Sequence, residues 1–132
     1  MVNINTIYLG ELRTCSTHMR SGIEIFTDAP EDNHGKGQAF SPTDLVALAL
    51  GTCMITTIAI RLNNLDLHGT RIKISKIMTN QPRRISEIVL EFDFTNKKYS
   101  DVHKSNIEEA ALNCPVAKSL NCNIKQTVHF SY

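Results

Sequence analysis

Four cysteines carry the reactive side chains of this 132-residue chain, and Cys53 and Cys114 stand apart from the other two. Cys53 is the one reactive group in an uncharged apolar run over residues 45–60. A thiol there is either a small buried hydrophobe or a nucleophile held in apolar surroundings. Cys114 precedes Pro115 and so falls at a helix start, where exposed N–H groups favour a thiolate and lower a thiol pKa. The plainer alternative for Cys114 is an ordinary capping residue. Cys15 and Cys122 sit in strand or loop contexts with no activating neighbour and are read as bystanders.

Other chemistries lack their residues. His18, His34, His68, His103 and His129 have no partner three or four residues away of metal-binding type, and no Cys/His cluster has zinc spacing. The expectation is no metal and no cofactor. Ser41, Thr52 and Ser119 have no GxSxG surroundings. The segment HGKGQ has two glycines, but no strand leads into it and no Lys-Ser/Thr pair follows, so it is no phosphate cradle.

The element that must position Cys53 spans residues 41–64. Ser41 suits the cap, Pro42 the first helical position, and Asp44 the place where a carboxylate answers exposed N–H groups. Apolar residues occur on every face, which predicts a central, enclosed helix and a second chain to help cover it. A run of some 22 residues spans roughly 33 Å. The uncharged part is short for a bilayer and carries Thr52, Thr56 and Thr57, so a core helix is expected and no membrane partner.

Before this helix, residues 2–10 alternate from Val2 and Ile4 onward, residues 12–18 continue as a second strand, and Ile23, Ile25 and Phe26 make a third. Residues 28–38, DAPEDNHGKGQ, read as a mobile connecting loop. After the helix, residues 71–79 and 85–94 form a hairpin, with Ile88, Leu90, Phe92 and Phe94 on one face. Residues 100–113 read as a helix with Val102, Ile107, Ala110 and Ala111 inward. A short helical piece runs to Leu120, and residues 123–132 close as a strand. The predicted order is β-β-β-α-β-β-α-α-β, an α+β fold of antiparallel sheets around a long central helix, in a single domain over residues 1–132.

Composition narrows the partners. A net charge of +1 carries no electrostatic footprint for nucleic acid, and 42% hydrophobic with 20% charged residues is ordinary for a soluble protein. The N-terminal MVNINTIYLGEL has no signal-peptide pattern, which predicts a cytoplasmic location and reduced cysteines.

The run SPTDLVALALGTC resembles the helix motif of the OsmC/Ohr family (osmotically inducible protein C and organic hydroperoxide resistance proteins), with Cys53 eleven residues after Pro42. ALNCPVAKSL, with Cys114, is similar to the family's second cysteine segment, and the element order agrees over essentially the whole chain. The resemblance implies an intertwined homodimer that reduces organic hydroperoxides. In it Cys53 would attack, Cys114 would resolve the sulfenic acid into a disulfide, and a dithiol reductant of lipoyl type would restore both. Leu50, Met54, Ile55 and Ile58 would help line an apolar substrate pocket. The family places Glu directly after the helix-opening proline, to orient an arginine from the N-terminal strands or loop. Here Thr43 stands there, Asp44 one residue on is the candidate orienting acid, and Arg13 and Arg20 are the candidate arginines. The alternative implied by that departure is a non-catalytic or ligand-binding dimer with an apolar interfacial cavity. A thiol-dependent hydrolase or transferase is a third.

Overall fold

The structure is a computed structural model that describes Met1 and residues 3–132. Val2, placed by its alternation at the start of the first strand, lies outside the described residues. The chain forms two compact units, residues 1–46 and 47–132.

The first unit is an antiparallel three-stranded sheet, β1 (Ile4–Gly10), β2 (Arg13–His18) and β3 (Glu24–Asp28), in the order β1-β2-β3. The turn between β1 and β2 is tight enough that Gly10, Glu11 and Leu12 all take positive φ. The following loop, expected to be mobile, is pinned to its own beginning. Gln38 N–H donates to Asp28 Oδ2 at 2.9 Å, Gly37 N–H donates to Ala29 O, and Asp28 N–H donates to Phe40 O. Within it Glu31–Asn33 makes one turn of 3-10 helix. Gly35 packs so closely that a Cβ there would lie 1.7 Å from Ala29 O. The polar composition that reads as mobility here supplies the short-range hydrogen bonds of a folded loop.

Helix α1 (Pro42–Arg61) opens with a reciprocal cap. Ser41 N–H donates to Asp44 Oδ2 at 2.8 Å, and Asp44 N–H donates to Ser41 Oγ at 3.1 Å. The enclosure expected on every side is not found within the chain. Ala47, Leu50, Gly51, Met54, Thr57 and Ile58 are buried, whereas Leu48, Ala49, Thr52, Thr56 and Ile60 are exposed. A helix periodicity of ~3.6 residues puts the buried set on one face. By length and composition alone α1 could cross a membrane, but so could many core helices, and its packed face suits a core role.

The second unit contains β4 (Arg71–Asn80), β5 (Arg83–Asp93) and β6 (Lys125–Ser131), with α2 (Asp101–Leu112) and α3 (Pro115–Ser119) between β5 and β6. The expected hairpin of β4 and β5 is antiparallel, but β6 pairs with β5 in parallel, register Glu87↔Lys125 to Asp93↔Ser131. The sheet is therefore mixed rather than antiparallel. The connection through α2 and α3 is long enough to return the chain in the same direction, which a tight turn cannot do. A bulge after Ile77 shifts the pairing so that Ile85 joins Ile88, Leu90, Phe92 and Phe94 among the buried residues. Gly51 of α1 lies against this sheet, where a Cβ would meet Ile74 Cδ1 at 2.5 Å and Leu90 Cδ2 at 3.0 Å. Phe92 stacks on Phe94 and Phe130, and Tyr132 stacks on Phe94.

Helix α2 is capped by Ser100 Oγ, which accepts from His103 N–H. Ile107, Ala110 and Ala111 are buried as expected. Val102 is not: it lies about 140° round the helix from Ile107 and is 69% exposed.

Candidate thiol site

Two elements of the second unit bring Cys53 and Cys114 together. Cys53 sits at the edge of the buried face of α1 and is half-buried, with Thr57 Oγ1 one helical turn on at 4.0 Å from its Sγ. Cys114 caps α3 from a position 0% exposed. Its Sγ accepts from Ala117 N–H at 3.4 Å, and Pro115 occupies the first helical position, where no N–H is needed. The two thiols lie near enough for Cys53 to act on the ionisation of Cys114. All four cysteines are free thiols. Cys15 on β2 is half-buried and Cys122 is exposed, and neither is paired.

The electrostatics correct one expectation. Placement at a helix start was expected to lower the Cys114 pKa, and Ala117 N–H does act in that direction. Burial outweighs it, and the adjacent Cys53 adds to burial, so the Cys114 thiol is pushed up from its ordinary value. A helix of five residues offers too small a dipole to overcome loss of water around a thiolate. Cys114 therefore holds its proton at neutral pH, and Cys53 is the more accessible sulfur of the two.

Leu50, Met54 and Ile58, expected around a substrate pocket, are each 0% exposed in the core of the second unit, and Ile55 is half-buried. Asp44 serves as the N-terminal cap of α1, as its position relative to Ser41 predicts. Arg20 lies exposed in the turn after β2. Arg13 is half-buried on β2, directly opposite Asp28 of β3, and its Nε is enclosed with no hydrogen-bond partner. Sequence reasoning missed Thr57 and Asp28. Thr57 was within reach of it, four residues after Cys53 on one helix. Asp28 opens a polar loop, and nothing in the sequence distinguishes it from a solvated loop acid, yet it is 0% exposed. Among the described residues no group of three or more His, Cys, Asp or Glu side chains is placed to hold a metal ion.

Comparison with known proteins bears on the family and the fold. The family described as OsmC-like protein matches residues 35–129. No curated protein sequence matches the chain. A crystal structure from Psychrobacter arcticus 273-4, described as that of an osmotic stress induced and detoxification response protein, is 44% identical. It aligns over 99% of this chain and 96% of its own, with a TM-score of 0.93. An organic hydroperoxide resistance protein OsmC from Legionella pneumophila is 14% identical, over 100% of this chain and 97% of its own, at a TM-score of 0.74. The organic hydroperoxide resistance protein OhrB of Bacillus subtilis is 15% identical, over 99% and 98%, at 0.67. At such identities the last two speak for the fold alone.

Proposed function

Because this chain belongs to the OsmC-like protein family, we propose that it is a thiol-dependent peroxidase that reduces organic hydroperoxides. The family supports a redox or peroxide-resistance role, and the observation that carries the finer assignment is the adjacency of Cys53 and Cys114. A protein that only binds ligands has no use for two thiols within reach of each other.

The chemistry follows from the difference between the sulfurs. Cys53, as thiolate, attacks the terminal oxygen of the hydroperoxide. The O–O bond breaks, the alcohol leaves with a proton from solvent, and Cys53 carries a sulfenic acid. The Cys114 sulfur then attacks the Cys53 sulfur. The S–O bond breaks, and the hydroxyl leaves as water with the proton Cys114 had held. A dithiol of lipoyl type reduces the resulting Cys53–Cys114 disulfide. Because burial raises the Cys114 pKa, its proton has to leave as its sulfur attacks, and the departing hydroxyl takes it.

Arg13, half-buried on β2, and Arg20, in the exposed turn after it, remain the two candidates for an activating cation. The active form is a homodimer, as the exposed apolar residues Ile4, Ile7, Tyr8, Ile25 and Phe26 of the first sheet call for a covering surface. A reducing cytoplasm is the compartment that fits four free thiols. Thr43, standing where the family has Glu, favours instead the ligand-binding alternative.

The deciding experiment is peptide mass spectrometry after limited cumene hydroperoxide, on the wild type, Cys53→Ser and Cys114→Ser. The expected products are a Cys53–Cys114 disulfide in the wild type, a persistent or over-oxidised Cys53 in Cys114→Ser, and neither in Cys53→Ser. Oxidation spread evenly over the four cysteines, or a disulfide through Cys15 or Cys122, would leave the binding alternative.

A further inference from the structure

Helix α1 carries three threonines close to Cys53, and their hydroxyls are used differently. Thr52 Oγ1–H donates to Leu48 O at 2.9 Å, with Ala49 O at 3.2 Å. Thr56 Oγ1–H donates to Thr52 O at 2.9 Å, with Cys53 O at 3.1 Å. Both residues are exposed, and both follow the habit of helical threonine, which bonds the carbonyl three or four residues back. Thr57 is 9% exposed and departs from that habit. Among the described residues the one hydrogen-bond partner of its Oγ1 is Cys53 Sγ, at 4.0 Å. A buried hydroxyl is costly to leave without a partner, so this contact is the one Thr57 has to keep.

What surrounds Cys53 on its own helix gives the contact a chemical meaning. Cys53 lies past the middle of α1, beyond the first turn, where a helix start favours an anion. Its half-buried position removes part of the water that would solvate a thiolate. One turn before it stand Ala49 and Leu50, neither with a donor side chain. One turn after it the Thr56 hydroxyl is turned to the backbone, and the Thr57 hydroxyl faces the sulfur. The titratable group beside Cys53 is Cys114, which burial keeps protonated, but that proton leaves when Cys114 attacks. Thr57 is the donor that stays in place.

We infer that Thr57 is a further catalytic residue: its Oγ1–H donates to the Cys53 sulfur and favours the thiolate that attacks the hydroperoxide. The attack rests on the peroxidase reading, whereas the contact does not. A distance of 4.0 Å is long for a neutral hydroxyl and thiol, and a negative charge on sulfur draws the donor in. On ionisation the Cys53 proton goes to solvent and Thr57 keeps its own, so the same hydroxyl serves every turnover. The branched Cβ of threonine restricts its side-chain torsion, which holds the donor toward the sulfur rather than leaving it to rotate.

Two measurements on the full chain test it, and they fail separately. The first is the pH profile of Cys53 alkylation by iodoacetamide, read at that residue by peptide mass spectrometry, in the wild type, T57V, T57A, T57S and T52V. It needs no peroxide. T57V keeps the branched shape without the hydroxyl, and T57A removes the hydroxyl should valine not be accommodated. The midpoint should rise by about one pH unit in T57V and T57A, the size expected for one hydrogen bond to a charged group. T57S and T52V should stay with the wild type. An unmoved midpoint in T57V and T57A, or an equal rise in T57S, would overturn the inference. The second is the rate of cumene hydroperoxide reaction at Cys53 over the same pH range. Below both midpoints T57V should react about tenfold more slowly than the wild type, and the gap should close above them. Slowing by one factor at every pH, with the alkylation midpoint unmoved, would make Thr57 a packing residue and overturn the inference. A wild type inert to peroxide whose alkylation midpoint still depends on the Thr57 hydroxyl would instead sink the peroxidase reading and keep the contact.

Discussion

The β4-β5-β6 sheet turns Ile88, Leu90, Phe92 and Phe94 into a core where none is more than 1% exposed, whereas the β1-β2-β3 sheet leaves Ile4, Ile7 and Tyr8 between 63 and 66% exposed. Both have three strands, and both carry apolar side chains in numbers that water does not favour. The difference lies in what the same chain supplies to cover them. Helix α1 lays a face of Leu50, Gly51, Met54 and Ile58 toward the second sheet, close enough that Gly51 has no room for a Cβ. No comparable burial exists in the first sheet, whose buried residues Thr27 and Asp28 are both polar. One sheet completes its core within the chain, and the other presents an apolar surface of the kind that partners cover.

The comparison breaks most visibly at Phe92. Phe92→Ala removes a ring stacked at 5.2 Å on Phe130 and 5.9 Å on Phe94, and should cost about 3–5 kcal/mol, read as a fall in the urea midpoint. A loss below ~1 kcal/mol would mean the second sheet is not the self-sufficient one. On the first sheet the sensitive quantity is association. Ile7→Lys should weaken dimerisation tenfold or more, about 1.4 kcal/mol or above, measured by sedimentation over a concentration series. An unchanged dimer, or a wild type that is a stable folded monomer at micromolar concentration, would remove the partner surface from β1.

A smaller effect separates capping from packing. Asp44→Ala removes the acceptor for Ser41 N–H and should cost about 1 kcal/mol of stability, with the thiol chemistry of Cys53 intact. Loss of that chemistry with little loss of stability would return Asp44 to the site as an orienting acid. The smallest expected effect is a pH slope. Burial holds the Cys114 pKa above its ordinary 9.0, so the folded state binds this proton more tightly than the unfolded chain does. Its contribution is complete below pH 9.0 and is lost as the pH rises through the folded-state value. Cys114→Ser should flatten the decline in melting temperature just above pH 9.0, before Tyr99 and Tyr132, both raised by burial from 10.0, begin to contribute. An identical slope in the variant would place Cys114 in contact with water.

What was legible in the sequence is what neighbours along the chain decide. Ser41 with Asp44 forms its cap from atoms three residues apart, and Cys114 with Pro115 marks a helix start for the same reason. The alternation from Ile88 to Phe94 states which side of a strand is apolar, and the spacing of Ile107, Ala110 and Ala111 states the inner face of α2. The motifs around Cys53 and Cys114 were enough to suggest the family. Only the tertiary structure decided that β6 runs parallel to β5 and that a bulge brings Ile85 into the core. It also decided that burial outweighs the helix start at Cys114 and that an acid at the head of a polar loop is fully enclosed. Each of these depends on which distant segment lies alongside. Desolvation and strand direction are set by neighbours in space, and a local pattern carries no record of them.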